Sequence, residues 1–538
     1  MTITISNISA SKRLVAVGND TVYYEDIDVA TGTMVELNTS GGAINTSDNL
    51  NMFEGYQKVF IANGANLKVA DFINTKLTHT ELTTAHAKGD ILTQTQSEGN
   101  IASMVVDFTD EDSLNTYGYA YYAGTATAFD TSTAITGSGS GTGFTPTHVT
   151  DKPHWYDWTV YPGGESGSLP NKAYLGCLYR GRCILSGDPE HPYQWYASRQ
   201  GNPWDFAYVA NDAGSPVAGG DSDAGETGDI IRALIPYKDD ILVIGCSTSI
   251  WFLAGDPANG GSLNELDLTI GMFGAHSWCF DGAGNLYFWG TNGVYKTTLP
   301  GTPECISELS LPRIVRDEEA NPATHRIIMA YDIVRTGLLI SITKLSDGTS
   351  SSYFYDLKSQ GFFPESYPDE CGPYSSFFYD ANDDDYRDLL IGCRDGYIRK
   401  FDETAKDDDI GVADEAIDSH VTFGPLPMSN NPKLTGKLTG LDCVTAGGAS
   451  GGTQSDSDDI TYSIFTGKSG GEVIENLVAG TNPDVAGTIR APGRQRSNGI
   501  RRKIKGVYVG IKLENSTASE TWGFEQLMAD FKLSGRLK

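Results

Sequence analysis

One arrangement of apolar and polar positions recurs along the chain: a short apolar run, a turn, and then a mixed strand that opens with an aliphatic and aromatic pair. It is clearest in ILVIGCSTSIWFLAG (241–255), LYFWGTNGVYKTTLP (286–300) and LLIGCRDGYIRKFDE (389–403). Looser copies are KVFIANGANLKVADF (58–72) and CILSGDPEHPYQWYAS (183–198). A continuous apolar run is typical of a strand buried on both faces, and a mixed strand of one with a face in water. The pattern therefore predicts repeated antiparallel hairpins.

The spacing of these hairpins indicates an architecture. Gly187 and Gly245 are 58 positions apart, Gly245 and Gly290 are 45 apart, and Gly290 and Gly392 are 102 apart. The longest interval leaves room for one more hairpin, which GLLISITKLSDGTSSSYFYDLKS (337–359) fills with two strands around an Asp-Gly turn. Four-stranded propeller blades repeat at about 40 to 50 residues, so we predict a β-propeller, with a β-sandwich of ordinary hairpins as the alternative.

Other segments depart from this pattern. The range 73–165 is predicted to be a Gly/Ser/Thr-rich insertion whose polar stretch 124–147 should form an exposed loop rather than a core. The range 411–538 contains longer alternating strands and is predicted to be a β-sandwich. The chain is therefore predicted to have an all-β fold, with a β-propeller-like body, an additional C-terminal β-sandwich and a loop-rich insertion. The body is assigned to 166–410, and whether the N-terminal strands of 1–72 close it stays open.

Composition supports an all-β fold and restricts the function. The chain of 538 residues contains 62 glycines and 27 tyrosines, which suits tight turns and aromatic strands. Its formal net charge of -30 argues against a general nucleic-acid binder, which needs cations facing phosphates. The eight cysteines include no CxxC pair, and no secretory signal or run of 18 apolar residues is present. We expect synthesis in a cytoplasm and no membrane span.

An acidic loop, DANDDDYRDLLIG (380–392), is a candidate metal site. It places Asp380, Asn382, Asp384 and Asp388 at positions 1, 3, 5 and 9 before an apolar strand, an alternation that can converge hard oxygens on Ca²⁺. The spacing resembles the calcium loops of integrin-type propeller repeats. It differs from them at position 6, which is Asp385 instead of glycine, and Ile391 at position 12 excludes an EF-hand. A structural calcium ion and a solvated acidic turn are the two interpretations.

A basic segment, RAPGRQRSNGIRRKIK (490–505), is the second candidate. Cations concentrated in an anionic protein can dock onto a neighbour's acidic surface or touch phosphate, and a solvated hairpin is the third interpretation. Subunit contact is favoured over nucleic acid because no aromatic residue lies between the charges as a stacking platform. The cations are Arg490, Arg494, Arg496, Arg501, Arg502, Lys503 and Lys505.

Catalytic motifs are absent from the sequence. It contains no HExxH pair, P-loop or Rossmann fingerprint. We therefore predict that the protein is not an enzyme and has no catalytic or cofactor-binding residues. Paired carboxylates for glycoside cleavage stay open as an alternative, because a sequence with 69 acidic residues does not reveal their separation.

Five segments in order carry a family resemblance that covers about a third of the chain. They are YQWYASRQGNPWDF (193–206), DILVIGCSTSIWFLAGDP (240–257), GNLYFWGTNGVYK (284–296), GRQRSNGIRRKIKGVYVGIKLE (493–514) and WGFEQLMADFKLSGR (522–536). Together they resemble the tail hub or nozzle proteins of short-tailed bacteriophages, also called tail stabilisation proteins. The resemblance implies a virion structural protein of the tail, synthesised in the host cytoplasm.

The same resemblance implies partners and roles. It implies a homo-hexameric ring below the portal and adaptor rings, which extends the DNA ejection channel, lets double-stranded DNA pass and seats tail fibres and a plug or needle. It assigns Trp195, Trp204 and Trp251 to blade junctions and the cations of 490–505 to ring contacts, although each tryptophan is equally explained as an ordinary core residue. An acidic lumen would repel passing DNA. The alternatives are a receptor-binding tail protein that holds a glycan and a glycan-cleaving enzyme.

Overall fold

The structure is a computed structural model that describes residues 2–5, 11–26, 32–37, 44–64, 66–120, 127–160, 167–219, 225–402, 404–410, 414–431, 434–448, 456–496 and 504–536. The chain forms two compact units. The first comprises Met1–Glu365 with Cys371–Phe401, and the second comprises Ser366–Glu370 with Asp402–Lys538.

The first unit begins with two antiparallel sheets and an insertion. Sheet 1 contains β1 (Thr2–Ile5), β2 (Ser11–Gly18), β3 (Thr21–Glu25) and β4 (Met34–Glu36), and sheet 2 begins with β5 (Leu50–Gly55), β6 (Lys58–Asn63) and β7 (Leu67–Asp71). The insertion contains β8 (Asn74–Thr78), β9 (Ile91–Thr95), β10 (Ile101–Thr109), β11 (Asn115–Ala120), β12 (Ile135–Gly137) and β13 (His148–Thr150), after which β14 (His154–Asp157) completes sheet 2 beside β7.

Five further antiparallel sheets follow in chain order. Sheet 3 contains β15 (Leu175–Tyr179), β16 (Arg182–Ser186), β17 (Trp195–Ala197) and β18 (Val217–Ala218); sheet 4 contains β19 (Ile231–Lys238), β20 (Ile241–Cys246), β21 (Ile250–Asp256) and β22 (Asn259–Asp267). Sheet 5 contains β23 (Trp278–Phe280), β24 (Leu286–Trp289), β25 (Val294–Thr297) and β26 (Glu304–Cys305), and the short helix α1 (Ile314–Glu318) follows it. Sheet 6 contains β27 (His325–Asp332), β28 (Gly337–Lys344), β29 (Ser350–Asp356) and β30 (Gly361–Glu365), and sheet 7 contains β31 (Pro373–Tyr379), β32 (Asp388–Cys393) and β33 (Ile398–Lys400).

Each sheet packs face to face on the next, which explains the continuous apolar runs. In β20, Leu242 and Ile244 belong to the core shared by sheets 3 and 4, whereas Val243 belongs to the core shared by sheets 4 and 5. Successive side chains of a strand point to opposite faces, so a strand between two sheets must be apolar at every position. The all-β, propeller-like body predicted from these runs is confirmed, and the predicted hairpins are the second and third strands of their sheets.

The N-terminal sheet completes a ring of seven sheets. Sheet 1 packs on sheet 2 on one side, and on the other side Leu14 packs against Tyr379 and Leu390 of sheet 7. The Tyr379 hydroxyl also donates a hydrogen bond to the buried carboxylate of Glu25, which accepts the backbone N–H of Leu14 at 3.3 Å as well. The first strands of successive sheets lie side by side at β5/β15, β15/β19, β23/β27 and β27/β31.

The insertion is more regular than its composition predicts. Its strands form one six-stranded sheet in the order β12, β9, β10, β11, β8, β13, with a core of its own. The stretch 124–147, predicted to be an exposed loop, contributes Ile135 and Phe144 to this core, with 0% and 6% of their surface exposed. That prediction is wrong at these two positions because isolated apolar residues among glycine and serine can still fill a core that other strands supply. Strand β14 lies within the range assigned to the insertion but pairs in sheet 2.

A buried ionic cluster joins the insertion to sheet 2. The Lys58 ammonium lies 3.2 Å from Oδ2 of Asp107 in the insertion and 3.8 Å from Oδ2 of Asp71. The Asn74 amide bridges the two carboxylates, and the Tyr156 hydroxyl donates to Asp71 at 2.8 Å. Burial opposes the charge on Lys58, but the two carboxylates outweigh it and raise the pKa of that ammonium. The cluster is therefore explained as a structural junction between the insertion and sheet 2.

The second unit is a β-sandwich with one covering helix. After the two-stranded ribbon of β34 (Asp407–Asp409) and β35 (Asp414–Ala416), its elements in chain order are β36 (Ser419–Pro427), β37 (Leu434–Thr445), β38 (Ile460–Gly467), α2 (Gly470–Ala479), β39 (Val485–Ile489), β40 (Gly493–Arg496), β41 (Ile504–Gly506), β42 (Tyr508–Asn515) and β43 (Phe524–Arg536). One sheet has the order β36, β42, β38, β39, and in the other β37 pairs with β43 on one side and with β40 and β41 on the other. Both sheets contribute to a single core that includes Leu438, Leu441, Ile464 and Ile511, which confirms the additional C-terminal sandwich.

Candidate functional site

The acidic loop of 380–392 lies at the closure of the ring. Asp380 forms an ion pair with Lys12 of sheet 1, whose backbone N–H donates to Asn382 Oδ1 at 3.2 Å. Asn382 returns a hydrogen bond from Nδ2 to the Lys12 carbonyl at 2.9 Å. Hydrogen bonding and charge attraction from Lys12 lower the pKa of Asp380. Asp380 therefore binds the cationic side chain of Lys12, and Asn382 binds the backbone of the same residue.

The remaining acidic positions of this loop, Asp384 and Asp388, have partners within the loop and the strand that follows it. Arg387 lies 2.6 Å from Asp384 Oδ1 and 3.4 Å from Asp380 Oδ1. Asp388 begins β32, and its Oδ1 accepts the backbone N–H of Leu389 at 2.9 Å. Within the ranges that the structure describes, no three His, Cys, Asp or Glu side chains are grouped to hold a metal ion. Calcium binding here stays a prediction, and it would require Lys12 and Arg387 to leave their carboxylates.

The basic segment of 490–505 lies in the second unit. Arg490 follows β39 and Lys505 lies on β41, and both are exposed. Arg494 and Arg496 lie on β40, opposite Val444 and Asp442 of β37. Arg501, Arg502 and Lys503 lie outside the described residues. Arg494, Arg496 and Lys505 thus lie on the strands along one side of β37, whereas Arg490 follows the edge strand of the other sheet.

The opposite side of the same sheet ends in an uncovered strand. Strand β43 has 13 residues and, among the described strands, pairs with β37 alone. Leu527 and Ala529 pack against the sandwich core, and the same alternate row continues to Phe531 and Leu533, with exposed fractions of 37% and 69%. A long edge strand with apolar side chains is a template for pairing with another chain.

A cavity of about 300 Å³ lies at one end of the ring. Its walls come from sheets 2 to 6, at the first residues of their first strands and in the loops beside them, including Leu50, Leu175, Ile231 and Ile327. Since these strand starts share one end of the ring, residues from five sheets meet there. The charged and imidazole side chains that line it are Asp188, Arg232, His276, His325 and Arg326, and Asn49 and Tyr174 add an amide and a hydroxyl.

Two guanidinium groups in the cavity have few partners. Arg232 Nη1 donates to the carbonyl of Phe273 at 3.4 Å, and Arg326 Nη1 donates to the carbonyl of Tyr374 at 3.5 Å while its guanidinium lies 5.2 Å from the Tyr374 ring centroid. In the part of the chain that the structure describes, no carboxylate oxygen lies within 4.0 Å of either group. Burial lowers the pKa of Arg326, and burial together with Arg326 lowers the pKa of His276 to about 4.

Sequence reasoning did not identify this cavity. Its cations are 94 positions apart in sequence, and tertiary structure alone brings Arg232 and Arg326 to one end of the ring. A weak signal was present, because each arginine is the second residue of a first strand and is followed by three apolar residues, ALI (233–235) and IIM (327–329). A cation at that position is unusual in a strand buried on both faces.

Comparison with known proteins leaves the family open. No family model and no curated protein matches the chain. Among solved structures, the tricorn protease aligns with 72% of this chain at 11% identity and a TM-score of 0.24, and the chain spans 43% of that protein. A protein of unknown function from Bacteroides thetaiotaomicron aligns with 66% of this chain, over 98% of its own length, at 11% identity and a TM-score of 0.23. A structure described as a glycoside hydrolase aligns with 66% of this chain, over 96% of its own length, at 11% identity and a TM-score of 0.22.

None of the helices in the described ranges is long and apolar enough to cross a bilayer.

Proposed function

We propose that this protein is a virion structural protein that assembles into the ring-shaped nozzle or hub of a short-tailed bacteriophage. In this role it extends the DNA ejection channel below the portal and adaptor and seats fibres or a plug. The observation that carries the proposal is the sheet built on β37, which has basic strand β40 on one side and the uncovered apolar strand β43 on the other. The two sides differ in chemistry, as the two halves of a head-to-tail contact do.

A head-to-tail contact has a defined consequence for assembly. When one surface of a subunit binds a different surface of the next, the contact generates a closed ring if the rotation closes. Strand addition along β43 would supply backbone hydrogen bonds, while Phe531 and Leu533 would be removed from water. Burying exposed apolar area contributes roughly 25 cal/mol per Å², and the repeated contact around a ring multiplies that gain.

The charge balance supports the same role. A ring of subunits with a formal net charge of -30 each presents a strongly anionic structure. Such a surface repels the phosphate backbone, so DNA passes without being held, whereas a basic lumen would bind it with steep salt dependence. The few clustered cations are then available for contacts between subunits.

The proposal is tested by assembly of the purified full-length chain. We expect light scattering to show a mass that rises to a closed oligomer with concentration, and negative-stain images to show rings with a central opening. Leu533→Glu should shift this equilibrium towards monomer, because it places a charge in the proposed contact. Leu309→Glu is the matched control, since Leu309 is 96% exposed in the first unit and belongs to no proposed contact.

Two results would count against the nozzle. If Leu533→Glu and Leu309→Glu assemble alike, β43 is not the contact. If the chain stays monomeric at every concentration and binds immobilised glycans saturably, the receptor-binding alternative is correct. Loss of polysaccharide cleavage on neutralising one or two carboxylates would instead establish the enzyme alternative.

A further inference from the structure

The cavity at the ring end carries an excess of positive charge. Arg232 and Arg326 contribute two cations, and Asp188 contributes one carboxylate that already accepts the Glu190 backbone N–H at 3.0 Å and the Tyr196 hydroxyl at 3.3 Å. His276 is neutral near pH 7, since burial and Arg326 lower its pKa to about 4. The lining therefore has a net charge of at least +1, from two cations less one anion. A single monoanion would balance it.

The hydrogen-bonding capacity of the two arginines is largely unused. A guanidinium has five N–H donors, yet Arg232 and Arg326 each donate one hydrogen bond, to the carbonyls of Phe273 and Tyr374. Leaving a charged, partly buried donor without partners costs free energy. His325 adds a donor, because its Nδ1 accepts the Asn321 backbone N–H at 3.3 Å and so leaves Nε2 to carry a ring proton.

The remaining walls of the cavity are mostly apolar, with Asn49 and Tyr174 as the polar exceptions. Leu50, Leu175, Ile231, Phe273 and Ile327 line it together with three prolines. A volume of about 300 Å³ lies at the lower end of the range for small-molecule sites, which combine apolar walls with a few polar groups that fix orientation. An inorganic anion would satisfy the arginines but leave the apolar walls uncovered, whereas an organic acid would satisfy both.

We infer that this cavity binds a small organic monocarboxylate, with the carboxylate between Arg232 and Arg326 and the apolar body against the walls formed by sheets 2 to 6. Arginine is suited to this task because its planar fork matches a carboxylate in two parallel hydrogen bonds. The inference concerns the interior of the first unit and does not depend on ring assembly through β43.

The test uses two probes of equal shape on the full-length chain, 4-bromobenzoate and its neutral analogue 4-bromobenzamide. Isothermal titration should give a Kd of about 1 mM or lower for 4-bromobenzoate. The amide should bind at least about tenfold more weakly, because it lacks the charge that strengthens the arginine hydrogen bonds. Crystals soaked with 4-bromobenzoate should show bromine anomalous density inside the cavity.

Variants identify the groups responsible. Arg326→Gln should weaken 4-bromobenzoate binding by at least about tenfold, and Arg326→Lys should weaken it less, because lysine keeps the charge but loses the fork. Arg326→Gln also loses the contact with the Tyr374 ring, which could impair folding. Arg232→Gln keeps that contact and therefore tests the binding site independently. Arg394→Gln is the control, since Arg394 is exposed in a turn of sheet 7 outside the cavity.

Several outcomes would overturn the inference. They are no binding of 4-bromobenzoate at about 10 mM, well above the expected Kd, equal affinity for the amide, unchanged affinity in both glutamine variants, or bromine density elsewhere. Each of these results leaves the nozzle proposal untouched, because that proposal is read from the mass and shape of the assembly.

Discussion

The strongest single test of the blade packing is Asp256→Asn. Arg182 on β16 has no exposed surface, and its Nε and Nη2 atoms each lie 3.1 Å from the Asp256 carboxylate on β21 of the neighbouring sheet. The guanidinium also donates to the backbone carbonyls of Ser198, Ala213, Gly214 and Ser215 at 2.8 to 3.2 Å. The Arg182 side chain thus hydrogen-bonds the carbonyl groups of a loop in sheet 3 and links this loop to sheet 4 through Asp256.

The expected loss of unfolding free energy in Asp256→Asn follows from the burial of the Arg182–Asp256 ion pair. The variant keeps the shape of the side chain but removes the counter-ion, and breaking a buried ion pair typically costs about 3 to 5 kcal/mol. The four carbonyl dipoles still face Arg182, so we expect a value near the lower end, about 3 kcal/mol. At roughly 2 °C per kcal/mol for a large domain, the melting temperature of the first unit should fall by roughly 6 °C.

The measurement is thermal unfolding of the full chain, combined with hydrogen exchange of peptides that cover β16 and β21. The control is Asp317→Asn, which removes an exposed helical pair with Arg313 at 3.2 Å, worth about 0.5 kcal/mol or less. The reasoning is refuted if Asp256→Asn and Asp317→Asn melt alike, or if exchange accelerates equally in all seven sheets. A localised increase at sheets 3 and 4 is the signature of a broken blade junction.

Two further predictions concern the ring closure and acid stability. Tyr379→Phe removes the hydroxyl that donates to the buried Glu25 carboxylate, so we expect a loss of about 1.5 to 3 kcal/mol and faster hydrogen exchange in β2 and β31, with unchanged exchange in the second unit. The folded pKa of His276, about 4, lies below the unfolded value near 6.5. The unfolded chain then binds the proton first as the pH falls, and stability should decrease from pH 6.5 towards pH 4 by at most about 3 kcal/mol. His276→Asn should lack this component, which is measured as the difference between the two melting curves across that pH range.

The propeller-like body could be predicted from sequence because each of its buried strands requires a continuous apolar run that is visible within a few residues. A strand sandwiched between two sheets must be apolar on both faces, so LVI of 242–244 is visible without any tertiary information. The hairpin of β2 and β3 carries a weaker signal, although GND at 18–20 closes it, with φ of 49° and 59° at Asn19 and Asp20. Its strands, SKRLVAVG and TVYYE, contain more polar positions than the runs of the other sheets.

Other features could not be predicted because distant parts of the chain create them. Ile135 and Phe144 lie in a polar stretch, and they are buried because β9 and β10 supply a core for them. The acidic loop has calcium-like spacing, but its first carboxylate contacts Lys12, 368 residues away. The spacing of acidic residues shows which oxygens could bind one cation. Only the folded structure shows that this cation is the Lys12 side chain.

The ring geometry also restricts where DNA could pass in a nozzle. Seven strands set about 10 Å apart, the usual distance between packed sheets, lie on a circle roughly 23 Å across between backbones, and inward side chains narrow it further. The cavity at one end has about 300 Å³, the volume of a sphere roughly 8 Å wide, whereas the major groove of duplex DNA alone is about 12 Å wide. The axis of a single chain is therefore too narrow for a duplex. A DNA channel must be enclosed by several subunits, so the nozzle proposal requires oligomerisation, and disrupting the contact at β43 should abolish the channel while leaving each seven-sheet ring folded.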